Sequence, residues 1–408
     1  MIEFFCNFVG DYCLGIMIFS FQLTEFEILL LGATLFCVLF LVVFYCRRIA
    51  SVARFQKDNC VTPEGLSGVA LPSASVIVYA QDDADALARL LPTLLTQDYN
   101  AQFEVIVVND GADEAVNEIV EKMQLHYNNL YLTFTPNEAR NLSRKKLALT
   151  IGIKAARNEV VVLTCADAVV GSSDWLFLMC RNFKPGIEVV VGYAYMDACR
   201  DKGRGARRRA FDSAMTAIVY LSAAIARRPY RANGYNLAYR RDTFFKNKGY
   251  SNSLNLHYGD DDIFVDRITN RTNTAVELSP DAIVKIDCYD NKSMYKELKM
   301  RDLFNSRFIS RRSSRLFGLF SFLFWVWFGL SVVAIFFTLP NLFPSIVVLV
   351  LALLLWVMTL FVWRKVLGAL CSRRLLFTIP YFIMTQPIYN LIYRLRSRRF
   401  RERNYTWH

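Results

Sequence analysis

Apolar runs of membrane-crossing length constrain this chain more than any other feature. A helix needs about 20 predominantly apolar residues to cross the hydrocarbon core of a bilayer, and a segment in lipid must satisfy its backbone groups internally. Residues 26–46 form one such run. Residues 316–339 and 343–363 form two more, separated by only Pro340, Asn341 and Leu342, so residues 316–363 read as a helical hairpin. Arg47, Arg48 and Arg54 follow the first run, whereas Glu3, Asp11, Glu25 and Glu27 precede it. Arg311, Arg312 and Arg315 lead into the hairpin, and Arg364, Lys365, Arg373 and Arg374 leave it. Basic residues gather on the cytoplasmic side. Residues 1–55 are therefore expected to hold one span with its N-terminal side outside, and everything between it and the hairpin is expected in the cytosol.

The flanks are less regular. Residues 1–22 are apolar yet carry acids, and either lie at the interface or belong to an over-long start. No basic region precedes the first apolar run and no small-residue cleavage site follows it, so a signal peptide is not expected. The last apolar stretch, residues 375–393, contains Pro380, Gln386, Pro387 and Asn390 and runs into Arg394, Arg396, Arg398, Arg399 and Arg401. As a span it would carry that basic tail outward. Residues 364–408 are accordingly read as an interfacial or re-entrant segment with a basic cytosolic tail.

Composition agrees. Hydrophobic residues make up 54% of the chain and mean hydropathy is +0.24, while Lys and Arg outnumber Asp and Glu by 48 to 36. With apolar spans present, such a balance fits cytoplasmic loops at an anionic membrane surface. The basic run at residues 200–209 lacks interleaved aromatics, so nucleic acid is not an expected partner. It reads as a solvated loop near anionic lipid, placed to grip a polyprenyl-phosphate acceptor. The ten cysteines form no CxxC pair, and the three histidines form no HExxH. A zinc centre or disulfide frame is therefore not expected; buried thiols in a reducing compartment are.

Residues 72–312 form the polar domain. SVIVYA at residues 75–80 and FEVIVVND at 103–110 are β-rich runs, LYLTF at 130–134 a third and EVVVLT at 159–164 a fourth. Helical spacing separates them: Leu87, Leu90, Leu91 and Leu94; then Val116, Ile119, Val120 and Met123; then residues 145–156. Strands alternating with helices make βαβ units and a largely parallel sheet covered on both faces, with ligands expected beyond the carboxyl ends of the strands. Acids stand at those ends: Asp82 and Asp83, Asp110, and Asp167. An Asp at one strand end is ordinarily a helix cap. Three such ends in register are better explained by a cation that relieves their repulsion, such as a divalent ion with a nucleotide diphosphate.

These motifs resemble the family 2 glycosyltransferases, inverting enzymes with the GT-A fold, a Rossmann-like α/β domain for nucleotide-diphospho-sugar donors. The resemblance covers about residues 72–312, and the flanking spans resemble those of membrane-bound members. It begins at SVIVYAQDDADALARLLPTLLTQDY and EVIVVNDGA. It implies donor contacts from Asp83, where the family usually has Glu, and from Asp110 at the nucleotide base. Lys146, a further implied donor contact, and LALTIGIKAARNEVVVLTCADA resemble the run into the family's DxD element, which here reads Cys165-Ala166-Asp167. Asp167 then stands as the ligand of Mg²⁺ or Mn²⁺. Cys165 is a soft group poorly suited to Mg²⁺ and more suited to packing.

HYGDDDIF at residues 257–264 resembles the family's acidic pair with Gly259 in place of Glu. The implied general base is Asp260, with Asp261 as the alternative and Asp262 orienting the following helix. An Asp triplet also suits a helix start. RANGYNLAYRRDTFF, residues 231–245, resembles the acceptor-side segment and points to Gly234, Asn236 and Tyr239; NGYN alone would equally make a turn before a strand. Leu298-Lys299-Met300-Arg301-Asp302 stands where processive synthases carry QxxRW. Only Arg301 fits, as a fork of donors for the diphosphate. The missing Gln and Trp favour a single addition.

The expectation is a multi-pass transferase of a bacterial-type inner membrane, with its catalytic domain cytosolic. It would move a sugar from a nucleotide-diphosphate donor to a lipid-linked or growing glycan acceptor. The alternative is a catalytically impaired member acting as a membrane scaffold or partner subunit in glycan assembly, for which Cys165 and Gly259 speak. A channel is disfavoured because no span holds an ionisable residue in its interior.

Overall fold

The computed structural model of the protein describes residues 24–59, 70–81, 83–111, 113–136, 142–196, 204–287, 292–310, 312–338 and 342–400. Residues 1–22, Asp82 and the start of the basic run at residues 200–203 lie outside these, as does the tail from Arg401. Thr24 and Glu27 form a reciprocal cap at the first helix, α1 (Glu25–Phe44): Thr24 N–H donates to Glu27 Oε2 at 2.8 Å, and Glu27 N–H to Thr24 Oγ1 at 3.3 Å. A π-helical turn over Tyr45–Ile49 carries Arg47 and Arg48 into α2 (Ala50–Asn59).

The α/β region then alternates as its periodicity requires: β1 (Ala74–Ala80), α3 (Ala84–Leu95), β2 (Phe103–Asn109), α4 (Glu114–Gln124), β3 (Leu130–Phe134), α5 (Arg144–Ala155) and β4 (Val160–Cys165). All four of these strands run parallel, in the order β3-β2-β1-β4. Every residue of β4 is buried, as an all-apolar run in a doubly covered sheet should be. Leu87, Leu90, Leu91, Leu94, Val116 and Val120 are buried against this sheet.

Beyond β4 the regular alternation ends. β5 (Ala168–Val170), α6 (Trp175–Cys180), β6 (Val189–Val191), β7 (Ala194–Met196) and the long α7 (Arg204–Ile225) follow. Then come β8 (Leu237–Arg240), α8 (Arg241–Lys246), α9 (Asp262–Ile268), β9 (Thr274–Val276), β10 (Val284–Ile286) and α10 (Lys292–Asn305). β8 joins the main sheet antiparallel to β4 and β6, giving the seven-stranded order β3-β2-β1-β4-β8-β6-β9. β5, β10 and β7 make a second, three-stranded sheet. The chain closes with α11 (Arg312–Thr338), α12 (Leu342–Ala369) and α13 (Ile379–Phe400).

Contacts divide the chain into two compact units, one of residues up to Val42 with Phe322–Val357, the other Val43–Ser321 with the residues from Met358 onward. Within the first, Leu30, Ala334 and Val348 form a small core, while Leu29, Phe36, Phe336 and Leu353 are 71, 65, 71 and 63% exposed. Large apolar side chains turned outward over a whole helix suit lipid as the surrounding medium. Among the described residues four helices are long and apolar enough to cross a membrane: Glu25–Asn59, Arg312–Phe337, Pro344–Ala369 and Leu375–Arg396. The fourth contains the stretch that the sequence reading expects at the interface, and it too has the length and composition of a span. In the second unit its α13 is tied to α7 by polar contacts, Gln386 Nε2 to Asp212 Oδ1 and Arg208 to Thr385 Oγ1.

α5 lies tight on the sheet. A Cβ at Gly152 would stand 2.8 Å from both Ile77 Cγ2 and Val108 Cγ2. These methyls belong to strand residues without slack, so Gly152→Val should overpack the core at a cost of roughly 1–3 kcal/mol. A lowered midpoint of thermal unfolding is expected; an unchanged midpoint would show that α5 can lift without penalty.

Candidate active site

The carboxyl ends of β1, β2 and β4 meet in register: Ala80 pairs with Asn109, and Tyr79 with Cys165. Asp110 leaves β2 buried, with Tyr79 Oη donating to its Oδ2 at 2.8 Å and Arg144 holding its Oδ1 at 2.7 Å. Asp83 stands at the N-cap of α3, half-buried, with its carbonyl accepting from Leu87 N–H. Asp167 lies between β4 and β5 and accepts from Tyr235 Oη at 2.9 Å. Burial raises its pKa.

The Asp triplet stands at the start of α9, and each member has its own partners. Asp260 is 4% exposed and lies 3.1 Å from Lys145 Nζ and 2.9 Å from Arg301. Asp261 accepts from the N–H groups of Gly234 and Asp262 at 3.0 and 2.8 Å, and also meets Arg301 at 2.7 Å. Asp262 faces inward, to Arg231 Nε at 2.9 Å and Asn305 Nδ2 at 2.9 Å, and burial pushes its carboxyl well above the usual range. Burial alone would raise Asp260 too. The Arg301 guanidinium and the Lys145 ammonium outweigh it and hold that carboxyl well below the carboxylate range.

Four residues without a role in the sequence reading emerge here: Tyr79, Arg144, Lys145 and Tyr235. Lys145 Nζ sits 5.4 Å from the centre of the Tyr79 ring and 5.9 Å from that of Tyr235, facing Asp260. Burial disfavours its charge, but the Asp260 carboxylate more than offsets this and its pKa is raised. A signal existed. Arg144, Lys145 and Lys146 are three cations in the first turn of a helix, where the dipole is repulsive to them. Each therefore needs a partner nearby.

Lys146, expected at the donor, is instead fully buried, its ammonium donating to the carbonyls of Ser253, Leu256 and Tyr258 at 2.6, 3.1 and 2.8 Å. Burial pushes its pKa down to about 8. Its structural work is to anchor the loop that delivers the Asp triplet. Asn236 and Tyr239, expected at the acceptor, face the interior as well. Asn236 donates to Tyr193 O and Ala282 O and accepts from Trp175 Nε1. Tyr239 stacks among Phe244, Phe264 and Tyr250. Only Gly234 of that trio touches the carboxylates. A cavity of about 100 Å³ opens beside them, lined by Tyr235, Asn233, Tyr220, Tyr295, Asp261 and Arg301 among others. Its hydroxyls and rings suit a sugar.

For a divalent ion the chain offers little on its own. Burial pushes the Cys165 thiol up to about 12, so it is neutral, and Asp167 is the only carboxylate of that loop. Among the described residues no three His, Cys, Asp or Glu side chains are placed to hold a metal. The set fits an ion held chiefly by a diphosphate, with Asp167 as the one protein ligand, and not a preformed site.

Arg301 is the counter-charge that permits Asp260 and Asp261 to be buried side by side. Arg301→Gln strands them, which should cost about 3–5 kcal/mol at neutral pH. A carboxylate whose pKa falls on folding stabilises the fold above about pH 4 and loses that contribution as pH drops further. The Arg301→Gln penalty, read as the difference in unfolding midpoint, should therefore shrink below about pH 4. A penalty that grew on acidification would contradict the pairing.

Comparison with known proteins places this geometry. The model of the glycosyltransferase-like family 2 matches residues 72–283, just over half of the chain. No curated protein matches it in sequence. Among solved structures, a mannosyltransferase from Pyrobaculum calidifontis, PcManGT, in complex with GDP-Man and Mn²⁺, is 17% identical. That match covers 90% of this chain and 98% of that one with a TM-score of 0.51. TarS of S. aureus is 20% identical over 57% of this chain and 40% of its own, with a TM-score of 0.38. Its 1–349 fragment with UDP-GlcNAc is 17% identical over 62% and 71%, with a TM-score of 0.39. At these identities the first likeness speaks to the fold alone.

Proposed function

The chain belongs to glycosyltransferase-like family 2, and on that premise we propose that it transfers a sugar with inversion from a nucleotide-diphosphate donor to a lipid-linked or growing glycan acceptor at the cytosolic face of its membrane. It is a glycosyltransferase with a GT-A domain flanked by apolar helices. The observation that carries the finer reading is the position of Asp260: a buried carboxylate held by two cations, one of which, Arg301, also lines the neighbouring cavity.

In this reading Asp83 and Asp110 contact the nucleoside, which requires Arg144 to turn aside from Asp110. The diphosphate lies between Asp167 and the cations Lys145 and Arg301. Mg²⁺ or Mn²⁺, bound with the donor and Asp167, supplies neutralising charge for the leaving group. The acceptor hydroxyl approaches along the cavity wall at Gly234 and Tyr235. Its oxygen attacks the anomeric carbon, the bond to the diphosphate oxygen breaks with its electron pair, and the hydroxyl proton passes to Asp260. Charge drawn from Lys145 and Arg301 to the diphosphate relieves the hold on Asp260, so donor binding makes the base stronger. The acceptor sits close to the bilayer, consistent with α13 lying against the domain as an interfacial helix and the chain residing in a bacterial-type inner membrane.

Asp260→Asn should lower turnover by at least about 10²-fold while calorimetric affinity for UDP or GDP falls little. Normal turnover in that variant would move the base to Asp261. Mn²⁺ titrated alone should give no heat and no shift of the unfolding midpoint, and should bind only with the nucleotide present. Tight binding of Mn²⁺ without nucleotide would show that the protein supplies more ligands than Asp167.

A further inference from the structure

A second charged cavity, of about 230 Å³, lies in the Val43–Ser321 part of the chain and shares no residue with the carboxylate site. Five arginines line it: Arg48, Arg227, Arg228, Arg271 and Arg312. No carboxylate lines it, and among the described residues none of the five makes an ion pair. Arg48 donates only to the Ser222 carbonyl, at 3.5 Å. Gathering like charges around one hollow is unfavourable unless an anion fills it.

The backbone shows that the gathering is built. α7 ends in a Schellman turn, with Arg227 N–H bonded to Ala224 O at 2.9 Å and Arg228 N–H to Ala223 O at 2.8 Å. The left-handed position of that turn ordinarily belongs to glycine. Here it is Arg227, with φ of +54°, so backbone strain is accepted to place a guanidinium at the rim. Arg48 reaches the pocket from a π-helical turn, an irregularity that often marks a functional position.

The pocket's place along the chain identifies the occupant. Arg48 follows the apolar run of α1 directly, and Arg312, Ser313 and Leu316 are the opening of α11, both helices of membrane-crossing length. Residues at the foot of such helices stand at the level of lipid headgroups. Ser310 and Asn270 add neutral polar groups, and Leu316 an apolar edge. We propose that this pocket binds the headgroup phosphate of an anionic membrane lipid, gripped by forked guanidinium donors. The site is separate from donor and acceptor, and its effect is to fix the α/β domain at the bilayer surface.

The test uses the full chain purified in a neutral detergent, with a short-chain phosphatidylglycerol, the matching phosphatidylcholine and inorganic phosphate as probes. Phosphatidylglycerol should raise the unfolding midpoint above that in phosphatidylcholine, and native mass spectrometry should show it retained. Arg228→Gln/Arg271→Gln should abolish the difference, since both side chains are exposed and their loss leaves the core intact. Lys122→Gln/Lys184→Gln, which removes the same charge elsewhere, should keep it. Equal shifts in the two lipids, an equal shift with inorganic phosphate, or an unaltered response in the arginine variant would each overturn the proposal. Asp260→Asn should respond to lipid as the parent protein does, so failure of the transfer reading and failure of this one are separable.

Discussion

Burying carboxylates together at one sheet edge is the constraint on which the rest of this site depends. Taking an ionised carboxylate out of water costs several kcal/mol, and its neighbour of like charge adds to that cost. The chain meets it with cations of different placement: Arg301 for Asp260 and Asp261, Lys145 for Asp260 alone, and Arg231 for Asp262. The loop that carries the triplet is itself held by Lys146, whose three bonds to backbone carbonyls leave that segment little freedom. Buried ion pairs seldom add net stability over apolar packing. Here they preserve reactive charge inside a folded domain.

The first half of the fold was legible because its forces are local. β1, β2 and β4 are continuous apolar runs, and the intervening helices bury the leucines and valines that their spacing places on one face. The second half was not. β5, β6, β7, β9 and β10 are three residues each, too short for any period to show. β8 inserts antiparallel beside β4 because of long-range pairing, Val161 against Tyr239, which no local pattern announces. α13 has a mixed composition that local reading places at the interface, and its contact with buried Asp212 is a tertiary fact.

The site divides along the same line. Asp110, Asp167 and Asp260 could be singled out as candidates because strand ends and acidic doublets are positional signals. Lys145 and Lys146 are neighbours in sequence and differ by about 100° around the helix, so one faces the cleft and the other the interior. Chemistry alone cannot choose between them, and the resemblance selected the buried one. Asn236 and Tyr239 face the interior for a related reason. A motif that borders an acceptor site also has to hold its strand in place, and in this chain their polar and aromatic groups are consumed by Trp175, Tyr193, Phe244 and Phe264. Gly234 escapes this because its contribution is a backbone N–H.

The cations that make the carboxylates tolerable also make them poor bases, and the two requirements are reconciled only by a third charge. A carboxylate gripped by Arg301 and Lys145 is stable and unreactive. A diphosphate carries more negative charge than Asp260 and presents several oxygens to the same donors, so it competes for both. On the proposed reading Asp260 then loses counter-charge, and its proton affinity rises beside the acceptor hydroxyl. Cys165 fits this arrangement better than a second acid would. A carboxylate at that position would face Lys145 and compete for it, drawing the ammonium away from both Asp260 and the donor. A neutral thiol, on the strand beside Tyr79, does not compete for the lysine.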